Sequence, residues 1–119
     1  MLHNLTIGHL DPSAILHDRK ALVRRRLDMA VVWRLLTELG EHTTEGEWRL
    51  GAGKVELRDG YLVIPWMGHG TTRLSEEFAL RLRQETGCLL ADREHCRLVD
   101  PEQLQGLNGQ AVTMEEVRG

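Results

Sequence analysis

Aromatic side chains are scarce in this chain. Three tryptophans, one tyrosine and one phenylalanine make up 4% of its 119 residues, so leucine and valine must fill most of the interior. Serine is rarer still: Ser13 and Ser75 are the only two, and both stand at expected helix starts, where capping accounts for them. Without a G-x-S-x-G elbow, serine nucleophilic catalysis has no support. No apolar run approaches the roughly 20 residues a membrane helix needs. The first residues lack the basic region and long apolar block of a secretory signal. Two cysteines without an export signal predict free thiols in a reducing cytoplasm. A formal net charge of −3 gives no overall electrostatic case for nucleic acid or for an acidic membrane surface.

What the chain has is the ordinary balance of a soluble protein, 41% hydrophobic and 28% charged. At 119 residues it is one domain by size. Such a chain buries roughly two-thirds of its unfolded surface, so it needs no metal or disulfide to fold.

The clearest local signal is Asp59-Gly60, set between two alternating runs, Lys54-Val-Glu-Leu-Arg and Tyr61-Leu-Val-Ile-Pro-Trp66. This is a strong hairpin signature. A two-residue turn pairs Arg58 with Tyr61, Leu57 with Leu62 and Val55 with Ile64. Val55, Leu57, Leu62 and Ile64 then line a core face, and Glu56, Arg58, Tyr61 and Val63 line a wetter one. Residues 47–50 alternate as well, so 47–66 reads as a three-stranded antiparallel meander. Residues 1–10 read either as a short strand over 5–7 or as a loose arm. Residues 88–91 and 96–99 form a second hairpin, in which Ala91 faces Cys96.

Asp11-Pro12 is a helix start, and Asp18 is a second. A long helix is expected over 19–39, ended by Gly40. Its apolar face is wide: Leu22, Met29, Val32, Trp33, Leu36 and Leu39, extended by Val31 and Leu35. That is more than one sheet face needs, so the helix is either sandwiched within its own chain or meets a partner. Trp33 and Trp66 are expected in the core. Residues 41–46 read as a loop. A second helix is expected from a Ser75 cap to Gly87, with Glu77–Arg81 and Arg81–Glu85 pairs along it. Asp100-Pro101 opens a short helix over 101–107, and 108–119 reads as a flexible C-terminal tail. The expected architecture is an α+β domain over 1–107: an antiparallel sheet of about five strands with two main helices on one face, in the order α-βββ-α-ββ-short α.

Four groups of residues carry potential chemistry. His69, Cys88, His95 and Cys96 supply zinc-type ligands, but their spacing fits no zinc pattern and strand parity sends Cys88 and Cys96 to opposite faces. No metal or cofactor is expected, and the same parity argues against a Cys88–Cys96 disulfide. His69, Gly70, Thr71 and Thr72 lie in a glycine-containing strand-to-helix connection whose amides could hold an anion, although no phosphate-loop pattern is present. Arg24 and Arg25 belong to a basic run over 19–26 that could meet phosphates or an acidic protein partner. Tyr61 and Arg58 mark a contact site on the wetter sheet face. Glu76-Glu77 and Glu115-Glu116 are adjacent in sequence, a spacing that makes no acid/base couple on a helix. These readings point to a small non-enzymatic protein-interaction domain: an adaptor, a chaperone-like factor or a toxin-neutralising partner. The simplest form is a homodimer, with Val31, Leu35, Arg24, Arg25, Tyr61 and Arg58 as the candidate partner-binding residues. The alternatives are a ligand-binding domain or enzyme built on residues 68–72, and a nucleic-acid binder using residues 19–26.

Overall fold

The computed structural model describes residues 3–51, 53–66 and 73–99. It begins with β1 (His3–Leu10), then α1 (Pro12–Leu16), β2 (Val23–Arg25) and α2 (Met29–Leu39). A run of strands follows: β3 (Glu41–His42), β4 (Trp48–Leu50), β5 (Gly53–Leu57) and β6 (Leu62–Trp66). The described part closes with α3 (Arg73–Thr86), β7 (Leu89–Asp92) and β8 (Arg97–Val99). The α+β class and the antiparallel pairing are as expected. The strand count is not: eight strands join one sheet in the order β3-β4-β5-β6-β1-β7-β8, with β2 paired to β1. The expected helix over 101–107 and the tail over 108–119 lie outside the described residues.

The meander has the anticipated register, with Glu56 opposite Val63 and Leu57 opposite Leu62. Gly60 takes φ +86 at the turn, a conformation that glycine adopts without a Cβ clash. The Arg58 amide donates to the Tyr61 carbonyl at 2.9 Å. β1 is longer than the expected 5–7 segment and lies at the centre. It pairs with β6 from His3 opposite Trp66 to Ile7 opposite Leu62, and with β7 from Thr6 opposite Ala91 to Gly8 opposite Leu89.

Two rows of side chains therefore cross the sheet. Val99, Leu90, Ile7, Leu62 and Leu57 form one, while Leu98, Ala91, Thr6, Val63 and Glu56 form the next, on the opposite face. The first row is buried except for its last member, Leu57, which sits at the end of β5 and is 38% exposed.

The long helix expected over 19–39 is overturned. Asp11 caps α1, accepting from the Ser13 amide at 3.0 Å, and α1 stops at Leu16. Asp18 then adopts φ +50. Asp28 caps a separate α2, accepting from the Ala30 amide at 3.0 Å. Between the two helices, residues 23–25 become a strand. The reason lies in β1, which runs on past the end of β6. His9 and Leu10 would be left without a ladder partner there, and buried backbone groups need one. β2 supplies it, with Leu10 opposite Val23 and His9 opposite Arg25. A helix over the same residues would also have stacked like charges on one face.

α2 and α3 both pack on the face bearing Leu5, Ile7, Leu62, Ile64 and Leu90. α2 inserts Val32, Leu35 and Leu36, and α3 inserts Phe78, Ala79 and Leu82. The wide apolar face of α2 is thus absorbed partly by α3 beside it, so the sandwiched alternative applies. Leu35 is fully buried and is no surface for a partner; Val31 packs half-buried at the margin. Trp33 departs from its expected core position and is 42% exposed. It meets Trp48 at 6.1 Å between ring centroids, and Trp48 stacks on His42 at 4.7 Å. His42 belongs to β3, which forms within the expected 41–46 loop by pairing with β4.

Ser75 is not a cap, because α3 begins at Arg73 and buries Ser75 in its first turn. Gly87 ends α3 as expected, with φ +72 and its amide on the Arg83 carbonyl. The expected ion pairs within α3 are replaced by pairs between helices. Arg81 holds Glu38 of α2 through two bonds at 2.7 and 3.0 Å, and Glu85 meets Arg34. Parallel bonds of this kind fix orientation as well as contributing energy.

Leu35→Ala should lower stability by about 2–5 kcal/mol in urea unfolding, through lost burial and a cavity. Val31→Ala, at the margin, should cost less than half as much in the same measurement. Leu35→Asp should fail to fold, because its carboxylate would be buried without a partner.

Candidate functional site

The two faces of the sheet are finished differently. Beneath β7 and β8, the second face is closed by α1. Ala14 and Ile15 pack with Leu10, Leu22 and Ala91, and Leu89 and Leu98 border them. Towards β5, no described helix covers this face, and a hollow of about 390 Å³ opens. Asn4 and Thr6 of β1, Val63 of β6 and Glu56 of β5 form its floor, with Tyr61 and Arg58 beside the β5–β6 turn. Arg93 and Glu94, in the turn between β7 and β8, form the far wall.

The floor side chains are placed by strand parity. Glu56 and Arg58 are two residues apart, so they share a face, and they form an ion pair at 2.7 Å. Both are substantially exposed. Such a pair is worth about 0–1 kcal/mol, so Arg58 can exchange Glu56 for another carboxylate at little cost. Tyr61 is half-buried and packs on the α1 cluster. Its position depends on Gly8, since a Cβ there would lie 2.9 Å from the Tyr61 Cβ. Tyr61 thus has an anchored base and lines the hollow, and an apolar body with a polar tip is what makes tyrosine useful at interfaces.

The far wall is fixed by Asp92, the one acidic residue buried among those described. Its carboxylate accepts from the His95 amide at 3.3 Å and from Arg97 Nε at 3.2 Å, and it meets His95 Nδ1 at 2.8 Å. These bonds move the turn. Asp92 pairs with Arg97 and Ala91 with Leu98, rather than Ala91 with Cys96 as expected, so 93–96 becomes the loop. Burial pushes the Asp92 carboxyl up, but the bonds from His95 and Arg97 outweigh it and hold the group below its ordinary range.

Of the zinc-type set, His69 lies outside the described residues, and Cys88 and Cys96 differ in their surroundings. Cys88 is fully buried in the core beneath the helices, whereas Cys96 lies half-buried in the turn with φ +50. Both are free thiols. Among the described residues no three metal-ligating side chains converge. His69, Gly70, Thr71 and Thr72 lie outside the described residues. Arg24 and Arg25 are exposed on β2 and not on a helix. Of the expected partner-binding residues, Tyr61 and Arg58 are brought together in the hollow. Sequence reasoning missed Arg93 and Glu94 because they come from the other hairpin. Asn4 and Thr6 escape it because the expected strand covers only 5–7, whereas β1 runs from His3 to Leu10. The alternation of Asn4, Thr6 and Gly8 with Leu5 and Ile7 was the signal available.

The fold and site define an α+β domain with an eight-stranded antiparallel sheet, one face under helices and the other partly open. No protein-family model matches the chain, and no match is found among curated proteins or solved structures.

A carboxylate held below its ordinary range stabilises the fold at pH values above its unfolded value, and that stabilisation is lost as pH falls through the folded value. Asp92→Asn should therefore lower stability by about 1–3 kcal/mol at neutral pH. The gap from the parent protein should close below about pH 4 when unfolding is followed against pH. The cysteines give a second test. Burial pushes the Cys88 thiol up, and a buried, protonated thiol is inert. A maleimide should label Cys96 in the native protein and Cys88 only in denaturant, read by mass spectrometry.

Proposed function

We propose that this chain is a non-enzymatic protein-interaction domain of the cytoplasm, engaging a polypeptide partner through the open face of its sheet. The observation that carries this reading is the hollow around Tyr61 and Arg58. Its volume is within the range of small-ligand sites, but those are lined mainly by apolar groups. Here Asn4, Thr6, Glu56, Arg58, Tyr61, Arg93 and Glu94 surround a single aliphatic side chain, Val63. A shallow floor of mixed charge with a tyrosine at its edge suits the side chains of another protein. The two free thiols fit a reducing compartment. In this reading Tyr61 is the anchor, Arg58 and Arg93 receive carboxylates, and Glu56 and Glu94 receive cations. A homodimer is the special case in which the partner is a second copy.

Benzoylphenylalanine in place of Tyr61 tests this in cells that make the protein. Irradiation should yield a polypeptide adduct of defined mass, absent when the same group replaces Thr37 on the outer side of α2. An adduct of twice the chain's mass identifies a homodimer. Arg58→Glu should weaken binding of the captured partner by about tenfold or more, with the circular dichroism unchanged. No adduct at position 61, or identical adducts at 61 and 37, would overturn the proposal.

A further inference from the structure

Charge is unevenly distributed along this chain. Five of its fifteen basic residues fall within residues 19–26, a stretch with no acid; outside it, eighteen acids face ten bases. The fold brings this stretch to the surface as a ridge. Leu22 turns inward, while Arg19, Lys20, Arg24, Arg25 and Arg26 are all exposed. Arg24 lies 3.6 Å from Asp11, and Arg26 meets Asp59. Arg19, Lys20 and Arg25 make no ion pair with any described residue. Beside Arg25 and Arg26 a second hollow of about 280 Å³ contains two acids, Asp28 and Glu85. Both are engaged, Asp28 as the α2 cap and Glu85 with Arg34.

The ridge meets the open sheet face at both ends. At one end Asp18, next to Arg19, lies 3.9 Å from Arg93 on the wall of the Tyr61 hollow. At the other, Arg26 contacts Asp59, and a Cβ on Gly60 would lie 3.5 Å from Arg26 Cγ. The hollow and the ridge are therefore continuous.

We infer that residues 19–26 form a docking ridge for an acidic segment of the same protein partner that occupies the Tyr61 hollow. The inference rests on the interaction reading given above. Charge complementarity sets the chemistry, and length selects a peptide over a nucleic acid. From residue 19 to residue 25 the chain can span at most about 20 Å. An extended stretch of six or so acidic residues matches that span. A nucleic-acid backbone of useful length would run on over the acidic remainder of the molecule, beyond the reach of the ridge through a screening length of about 8 Å.

The test uses the full-length protein and a rhodamine-labelled octapeptide of alternating Glu and Asp, with fluorescence anisotropy at about 50 and about 200 mM salt. The peptide should bind at the lower salt and weaken at the higher. A variant carrying Arg19→Glu and Arg25→Glu should lose about tenfold or more in affinity. Arg49→Glu on β4, paired with Glu47 at 3.9 Å, should leave binding within about twofold, since a ridge and not net charge is being read. Adduct formation at position 61 is read separately from octapeptide anisotropy, which separates failure of the ridge from failure of the hollow. Absence of peptide binding at the lower salt would overturn the inference. Equal weakening by Arg49→Glu would do the same, as would tighter binding of a labelled oligothymidylate lost in the double variant.

Discussion

The pairing of β1 on both of its edges is the constraint on which the rest of the structure depends. Its backbone hydrogen bonds tie the β4–β6 meander to the β7–β8 hairpin, and its outer end recruits β2. Leu5 and Ile7 meet the helix layer on one face, while Leu10 meets α1 on the other. Gly8 has no side chain because Tyr61 crosses there. Satisfying this strand's donors and acceptors outranks local helix preference, which is why an arginine-rich segment that reads as helix becomes a strand.

The two helices on the inner face are locked to each other as well as to the sheet. Arg81 to Glu38 and Arg34 to Glu85 run along the outer seam between α2 and α3, above an apolar contact that includes Leu35, Phe78 and Leu82. The hydrogen bond from Arg81 holds Glu38 below its ordinary carboxylate range. Exposed pairs contribute little individually. Their larger role here is orientational, because the Arg81–Glu38 contact has two parallel bonds.

Local patterns were legible in the sequence, and long-range ones were not. The Asp59-Gly60 register, the Asp11 cap, the Gly40 and Gly87 helix ends, and the face shared by Glu56, Arg58, Tyr61 and Val63 all depend on neighbours within a few residues. The length of β1, the strand at 23–25, and β3 depend on a partner tens of residues away. Periodicity cannot report that partner. The same division applies to the candidate site. Tyr61 and Arg58 were readable from hairpin parity, while Arg93 and Glu94 join them only because β1 stands between the two hairpins. Trp33 illustrates the remaining error: helical spacing put it on the apolar stripe, but the stripe extends beyond the area that α3 and the sheet cover.

The central position of β1 also has a consequence in time. It is made before either of its neighbours in the sheet, and β7 follows about 80 residues later. At roughly 5–20 residues per second, that interval is on the order of 4 to 16 seconds on the ribosome. Throughout it, Leu5, Ile7 and Leu10 belong to a strand with no finished sheet to enter. Contacts this distant along the chain also slow the final collapse. A cell making this protein therefore handles this strand with its β7 edge open until the last hairpin has been made.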